Sequence, residues 1–315
     1  MNIVLLESLA VDDDILKGYV KKIEQEGHQF FSYERTDDVE QLIEEAKDAD
    51  VLILANMPLP GTVIRACKHL KYIDVAFTGV DHVDLEAARE MGVSVSNASG
   101  YSNDSVAELT LCMVLTLLRN VREVEKQCRC GGTKDGFVGN ELRGKTVGII
   151  GTGAIGTRSA QLCRAFGCRT IAYNGFSHKK DTEDFHYLPL KELLEQSDVV
   201  LLHCPLSEQS RNLINKETLG YMKKTAILIN AARGGVVNSE DLADALNEGK
   251  IAGAGIDVFE SEPPISSDHP LLLARNVLVT PHVAFATKES MEKRAAIVFE
   301  NLEQWMKGRI INQVV

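Results

Sequence analysis

The sequence lacks the features that mark several large classes of protein. Its longest apolar stretch, at 109–118, is well short of the ~18 residues that a membrane-spanning helix needs. Its seven cysteines include no C-x-x-C pair, and its first residues have no signal-peptide pattern. The net charge of −11 argues against binding to a nucleic-acid backbone. We therefore expect a cytoplasmic protein with reduced thiols that binds no metal, membrane or nucleic acid.

Short β-branched runs alternate with amphipathic stretches, a pattern typical of parallel sheets covered by helices. The chain has 315 residues, more than one hydrophobic core usually serves, so two domains are expected. A long helix from about Ser105 to Glu125 and a glycine-rich loop at 130–144 separate two βα series, which argues against a barrel. The strand candidates are NIVLLE, ADVLILAN, YIDVAFTG and VSVSNAS in the first series, and KTVGIIG, CRTIAYN, DVVLLHCP, AILINAA, IAGAGIDVF and NVLVTP in the second.

The first strand of the second series leads into a G-x-G-x-x-G pattern at Gly151, Gly153 and Gly156. This strand–turn–helix context predicts a dinucleotide site, in which the first glycine permits the turn and the second lets a pyrophosphate approach. The amides of Ala154 and Ile155 would face the phosphates at the start of the helix. The alternative is a glycine-tolerant turn that binds no ligand.

The position that would bind the adenosine ribose, ~20 residues further on, is Asn174 rather than an acid. An acid there would hold the 2′-hydroxyl of NAD and repel the 2′-phosphate of NADP. Ser177, His178, Lys179 and Lys180 follow, and they would attract a 2′-phosphate or simply form a solvated loop. The sequence therefore leaves both NAD and NADP open as the cofactor.

Three charged or titratable residues follow strands of the second series, where open parallel sheets bind their ligands. Arg233 ends the apolar run AILINAA, Glu262 follows GIDVF, and His282 follows NVLVTP. A buried guanidinium needs an anionic partner, and a substrate carboxylate would supply one. His282 would protonate the alkoxide that hydride transfer to a ketone creates, and Glu262 would favour the imidazolium. Taken singly, the histidine would be a structural hydrogen-bonding residue and the glutamate part of a turn.

These motifs resemble the D-isomer-specific 2-hydroxyacid dehydrogenase family along essentially the whole chain. The similar stretches are TGVDHVDLEAAREMGV, SGYSNDSVAELTL, GIIGTGAIG, INAARGGVVN, GIDVFESEPP and TPHVAFATKES. The resemblance implies an α/β fold with two domains: a flavodoxin-like substrate domain from 1–100 plus 288–315, and a central Rossmann domain, a doubly wound parallel sheet, over 101–287. It also implies a homodimer with the long helix in its interface. The apolar face of this helix, formed by Leu109, Cys112, Met113 and Leu117, is consistent with that, although plain core packing predicts the same pattern.

The resemblance assigns a role to each matching position. It implies a catalytic set of Arg233, Glu262 and His282, and a loop at Thr78, Gly79 and Val80 whose amides bind the substrate carboxylate together with Arg233. The implied cofactor contacts are Gly151, Gly153, Ala154, Ile155, Gly156, Asn174, Pro205, Ala231, Ala232, Arg233, Asp257 and His282.

The motifs are most similar to the glycerate dehydrogenase (hydroxypyruvate reductase) branch, so we expect hydroxypyruvate or glyoxylate as the 2-keto acid. D-3-phosphoglycerate dehydrogenase is an alternative, although the chain is short for the regulatory domains that many of those enzymes carry. A dinucleotide-sensing, corepressor-like protein without catalysis is the other alternative, and neither terminus shows an extension for binding a partner.

Overall fold

A computed structural model describes residues 1–173, 175 and 181–315. The chain forms two compact units, one made of residues 1–102 with 286–315 and the other of residues 103–285. Each junction lies two residues from the bounds expected from the sequence, 1–100 plus 288–315 and 101–287. Which unit holds the substrate and which holds the cofactor stays a prediction.

The unit made of 1–102 and 286–315 contains a five-stranded parallel sheet in the order β2-β1-β3-β4-β5. This is the flavodoxin-like strand order. Its strands are β1 (Asn2–Leu5), β2 (Gln29–Ser32), β3 (Val51–Leu54), β4 (Tyr72–Val75) and β5 (Ser94–Asn97), and its helices are α1 (Asp13–Gln25), α2 (Val39–Ala46), α3 (Gly61–Ala66), α4 (Leu85–Glu90) and α12 (Lys288–Met306).

The sequence prediction missed β2, and the structure shows the reason. The three strands β1, β3 and β4 are buried almost throughout, so they give continuous apolar runs. In contrast, β2 is the edge strand and only its second residue, Phe30, is partly buried. An exposed edge strand of four residues leaves no such run in the sequence.

The unit of residues 103–285 contains a six-stranded parallel sheet in the order β11-β10-β9-β8-β6-β7. A single parallel bridge between Ala172 and Tyr187 continues the sheet beyond β7. With that bridge as its third position, the sheet follows the 3-2-1-4-5-6 order of a dinucleotide-binding fold, and β11 adds a seventh position at the far edge. The strands are β6 (Thr146–Ile150), β7 (Arg169–Tyr173), β8 (Val199–Leu202), β9 (Ile227–Asn230), β10 (Gly253–Ile256) and β11 (Val277–Val279).

Helices cover both faces of this sheet, and neighbouring residues such as Ile149 and Ile150 belong to separate apolar clusters. The helices are α5 (Asn103–Leu118), α6 (Val121–Arg129), α7 (Ala154–Ala165), α8 (Leu190–Gln196), α9 (Lys216–Leu219), α10 (Ser239–Asn247) and α11 (Pro270–Leu273). The predicted fold class, α/β with two parallel-sheet domains, is confirmed. No helix in the described ranges is long and apolar enough to cross a membrane.

The long helix predicted from Ser105 to Glu125 is wrong in one respect, because it is two helices. Asn120 lies between α5 and α6 with a left-handed backbone, φ +51°. An asparagine adopts this conformation at low cost, but a continuous helix cannot pass through it. Of the four residues on the apolar face described from the sequence, Met113 is buried in the core of this unit, Leu109 and Leu117 are partly buried against it, and Cys112 is exposed.

Candidate active site

The glycine turn after β6 has the geometry that a pyrophosphate requires. Gly151 has φ +101°, and a Cβ there would lie 2.6 Å from the backbone nitrogen of Cys204. A Cβ on Gly156 would lie 2.0 Å from the carbonyl oxygen of Gly151, so this glycine lets α7 pack against the turn. A Cβ on Gly153 would meet no atom within 4 Å. Two glycines therefore serve the packing of the protein, whereas the third leaves open space beside the backbone.

That open space lies at the N-terminus of α7. Gly153 is the N-cap and provides no side chain to satisfy the first amides of the helix. Ala154 is exposed and Ile155 is half-buried at the first two helical positions. Free amides and the positive end of the helix dipole attract an anion, so the turn fits the diphosphate of a dinucleotide. Among the described residues, no side chain fills this cradle or caps the helix, and this observation shows the fit.

The other predicted cofactor positions follow neighbouring strands of the same sheet. Pro205 follows β8, and Ala231 and Ala232 follow β9 directly. Asn174 and the four residues from 177 to 180 lie outside the described residues, so the ribose position has no structural account. At the end of β8, burial lowers the pKa of His203 to about 4, so its ring is neutral at physiological pH.

Arg233 lies just beyond β9, where hydrogen bonds and close packing fix the backbone on both sides of it. Asn230 at the strand end accepts a hydrogen bond from the Ala232 amide and donates one to the carbonyl oxygen of Arg233. The next residue, Gly234, packs so tightly that a Cβ would lie 1.9 Å from the carbonyl of Phe259. The guanidinium is half-buried and donates to the Ala232 carbonyl oxygen at 2.8 Å. The strand end and the glycine therefore fix the place from which the arginine side chain extends.

Glu262 and His282 contact each other directly. The Nδ1 atom of His282 lies 2.8 and 3.0 Å from the two carboxylate oxygens of Glu262. Because a carboxylate only accepts, Nδ1 carries the hydrogen in this contact. The imidazole is 12% exposed and the Glu262 side chain is 44% exposed, so a solvent-exposed carboxylate contacts a largely buried ring. The ring also packs edge-on against Phe285.

Asp257 holds the segment that carries His282. Its carboxylate is fully buried and accepts hydrogen bonds from the Thr280 hydroxyl at 2.5 Å and from the Val283 and Ala284 amides at 2.9 Å. Its carbonyl oxygen accepts from the His282 amide at 2.7 Å. His282 has φ +55°, and the bonds on both sides of it maintain this left-handed backbone. Sequence reasoning assigned Asp257 only a cofactor contact and did not foresee that it shapes this segment.

A second carboxylate–imidazole contact lies close by in sequence, and sequence reasoning missed it. The Nε2 atom of His269 lies 3.2 Å from Glu260, which also accepts from the Ser239 hydroxyl at 2.5 Å. The other nitrogen of His269 accepts from the amide of Leu271 and caps α11. Both nitrogens of this ring thus have hydrogen-bond partners within the unit, which indicates that the pair has a structural role. A glutamate two residues before Glu262 was the only signal in the sequence.

The predicted carboxylate loop lies in the unit of residues 1–102 and 286–315. Thr78, Gly79 and Val80 follow the end of β4, at the edge where parallel sheets bind ligands. Among the residues that the structure describes, the amides of Gly79 and Val80 donate to no acceptor in the protein. Two adjacent amides in this state can bind an oxyanion.

Known proteins with similar sequences also bind a nicotinamide dinucleotide or are named as reductases and dehydrogenases. The family model described as "D-isomer specific 2-hydroxyacid dehydrogenase, NAD binding domain" matches residues 111–284. Hydroxypyruvate reductase of Blautia hydrogenotrophica is 36% identical over 292 residues, which cover 90% of this chain and 90% of that protein. D-3-phosphoglycerate dehydrogenase of Methanocaldococcus jannaschii is 39% identical over 281 residues, covering 88% of this chain and 53% of that protein. The chain thus spans about half the length of that second relative.

A solved structure has the same architecture. NAD-dependent formate dehydrogenase from Staphylococcus aureus, in complex with NAD, has a TM-score of 0.88 and 30% identity, covering 100% of this chain and 99% of that one. The family match and these relatives identify the chain as an oxidoreductase that acts on CH–OH donors with NAD or NADP. The chain belongs to the D-isomer specific 2-hydroxyacid dehydrogenase family.

Proposed function

We propose that this protein reduces a small 2-keto acid, hydroxypyruvate or glyoxylate, to the D-2-hydroxy acid. The observation that carries the proposal is the 2.8 Å contact between Glu262 and His282 beyond the ends of β10 and β11. Arg233 follows the adjacent strand β9. An acid–base group and a cation at one edge of a dinucleotide sheet are the groups that reduction of a keto acid requires.

Each of the three residues has a separate role. His282 donates the proton on Nε2 to the alkoxide oxygen as it forms, and Glu262 accepts from Nδ1 and stabilises the protonated ring. Arg233 binds the substrate carboxylate through its planar guanidinium and polarises the neighbouring carbonyl. The family resemblance further assigns the backbone amides of Thr78, Gly79 and Val80 to binding of a substrate carboxylate.

The unit of residues 103–285 is the proposed cofactor domain, and the other unit is the proposed substrate domain. Gly151, Gly153 and Gly156, with the amides of Ala154 and Ile155, would hold the diphosphate. Pro205, Ala231, Ala232 and Asp257 are the further proposed contacts. When bound, the reduced nicotinamide supplies the hydride. The proposal includes both NAD and NADP, because Asn174 neither holds a 2′-hydroxyl as an acid would nor repels a 2′-phosphate.

The glycine turn can be tested separately from catalysis. Gly153→Ala places a methyl group that, its chain neighbours aside, meets no atom of the described residues within 4 Å, so the apoprotein should melt as the wild type does. The dissociation constant for NADH, measured by fluorescence, should rise by roughly tenfold or more because the methyl group obstructs the diphosphate. Gly156→Ala is the contrasting variant, since its Cβ would clash with the Gly151 carbonyl and destabilise the fold itself. Unchanged NADH affinity in Gly153→Ala would contradict the proposed cradle.

A panel of acids against both nucleotides tests the function. Glyoxylate, hydroxypyruvate, pyruvate and 3-phosphohydroxypyruvate are each incubated with NADH and with NADPH, and nucleotide oxidation is followed by absorbance. We expect the highest kcat/KM with glyoxylate or hydroxypyruvate. A preference for the phosphorylated acid would replace the proposal with a phosphoglycerate dehydrogenase. Binding of nucleotide without oxidation by any acid would favour a dinucleotide sensor.

We also propose that the protein forms a homodimer through the outer surface of α5. A mostly apolar groove of about 880 Å³ lies there, and Leu111, Cys112, Leu115, Val121, Val124 and Leu162 contribute to its lining. Only Cys112 belongs to both this groove and the face expected from the sequence. Light scattering should give twice the chain mass for the wild type and a smaller mass for Leu115→Arg. A monomeric wild type would contradict the proposal.

A further inference from the structure

We infer that Asn97 is a positioning residue for the substrate carboxylate, because its side chain sets the orientation of the loop at 78–80. The inference rests on the proposed function, which assigns that loop to substrate. Asn97 is the last residue of β5, and its Nδ2 donates to the carbonyl oxygen of Thr78 at 2.7 Å. All the residues in this argument belong to the unit of residues 1–102 and 286–315.

The effect of this hydrogen bond follows from the geometry of the peptide group. A trans peptide is planar, so the carbonyl of Thr78 and the N–H of Gly79 point in opposite directions. When Asn97 fixes the carbonyl oxygen, it directs the Gly79 N–H away from β5. That N–H and the next one, on Val80, are those without an acceptor among the described residues. The asparagine therefore preorganises two donors for an anion and does not touch the anion itself.

Hydrogen bonds with the C-terminal part of the chain hold the backbone of Asn97. Its backbone N–H donates to the backbone carbonyl oxygen of Asn312 at 3.1 Å. Its backbone carbonyl oxygen accepts from Nδ2 of Asn301 at 3.0 Å. Asn301 lies fully buried in α12, and its Nδ2 also donates to the Asp74 carboxylate at 3.0 Å. The Oδ1 of Asn301 accepts from Nδ2 of Asn312 at 2.8 Å. This buried network fixes the backbone of Asn97, so its side chain has few orientations to lose when it holds Thr78.

The side chain of Asn97 makes a second contact, which allows the two roles to be separated. Its Oδ1 accepts from the amide of Ser99 at 3.3 Å and closes a turn after β5. Asn97→Ser is neutral and keeps an oxygen for this turn, but its short hydroxyl cannot reach the Thr78 carbonyl. Asn97→Ala loses both contacts. The matched control is Ser96→Ala, in the same strand as Asn97. It removes a partly buried hydrogen bond to the Ile311 carbonyl oxygen and no contact with the loop.

The experiment measures the kinetics of keto-acid reduction and the binding of oxamate, a keto-acid analogue, to the complex with NADH. We expect Asn97→Ser and Asn97→Ala to raise the KM and the oxamate dissociation constant roughly tenfold, as the loss of one oriented hydrogen bond implies. The kcat should fall less, and NADH affinity should stay that of the wild type. Ser96→Ala should keep the wild-type KM.

Each other outcome has a defined meaning. If the wild type reduces a keto acid and both Asn97 variants keep its KM, the inference is wrong and the proposed function stands. If Asn97→Ser restores the KM that Asn97→Ala loses, Asn97 acts only through the turn, which also overturns the inference. If the wild type reduces no keto acid, the proposed function fails and the inference fails with it.

Discussion

Two of the carboxylate–imidazole contacts in the unit of residues 103–285 are nearly alike in local geometry. Glu262 contacts His282 at 2.8 Å and Glu260 contacts His269 at 3.2 Å. Each ring packs edge-on against a phenylalanine, at 5.3 and 5.1 Å between ring centroids. The two imidazoles are also similarly exposed, at 12% and 16%. Neither the ion-pair distance nor burial therefore tells which histidine is catalytic.

The two histidines differ in the backbone that presents them. His269 caps the short helix α11 with one nitrogen and contacts Glu260 with the other. His282 lies in a left-handed conformation beyond β11, on a segment that the buried carboxylate of Asp257 holds. A structural histidine is thus one whose two nitrogens serve the fold. The proposed catalytic histidine is one whose backbone is constrained just beyond the end of a strand.

The largest expected effect separates the two histidines directly. His282→Ala should lower kcat for the keto acid by roughly 10²- to 10⁴-fold, the usual contribution of a general acid. His269→Ala removes a helix cap and the contact with Glu260, so it should lower the melting temperature and leave kcat within about threefold. Steady-state kinetics and thermal melting of both variants check this. Comparable turnover in the two variants would remove the distinction between the pairs.

A smaller effect is expected when the segment that carries His282 is loosened. Asp257→Asn replaces an acceptor by an NH₂ group that faces a backbone N–H, which leaves a buried donor unsatisfied at a cost of about 1–3 kcal/mol. We expect kcat to fall roughly 10- to 100-fold, because small displacements of a catalytic group are costly. Thr280→Val removes one of the three donors to Asp257 and should have a weaker effect on both quantities. A stable Asp257→Asn variant with wild-type turnover would show that this segment does not need the carboxylate.

The smallest expected effect is on stability at low pH, and it concerns the structural pair of Glu260 and His269. Burial raises the pKa of Glu260, but hydrogen bonds from Ser239, the backbone and His269 outweigh it, so its pKa lies below the ordinary 4.5. The folded state therefore binds fewer protons than the unfolded state just below pH 4.5, and the stabilisation is lost as the pH falls through that range. Glu260→Gln should flatten this part of the curve of unfolding free energy against pH. Ser239→Ala should flatten it partly, and curves that coincide with the wild type would contradict the assignment.

The sequence predicted those parts of the fold and site that depend on apolar runs and on glycines. The buried strands and the turn at Gly151–Gly156 belong to this group, since burial on both faces and missing side chains leave direct signals. The edge strand at Gln29–Ser32 and the break at Asn120 do not, because an exposed strand has no apolar run and one asparagine gives no warning of a left-handed backbone. The roles of Asp257 and Asn97 depend on hydrogen bonds to distant segments, which no local pattern encodes.

The central claim is that hydride reaches C2 of a 2-keto acid and that the product has the D configuration. The most direct measurement uses nicotinamide dinucleotide deuterated at the transferable C4 position, with hydroxypyruvate as substrate in the wild-type protein. We predict a glycerate product of D configuration that carries one deuterium at C2, detected by mass spectrometry and chiral separation. Product of the L configuration, or product without deuterium at C2, would contradict the account.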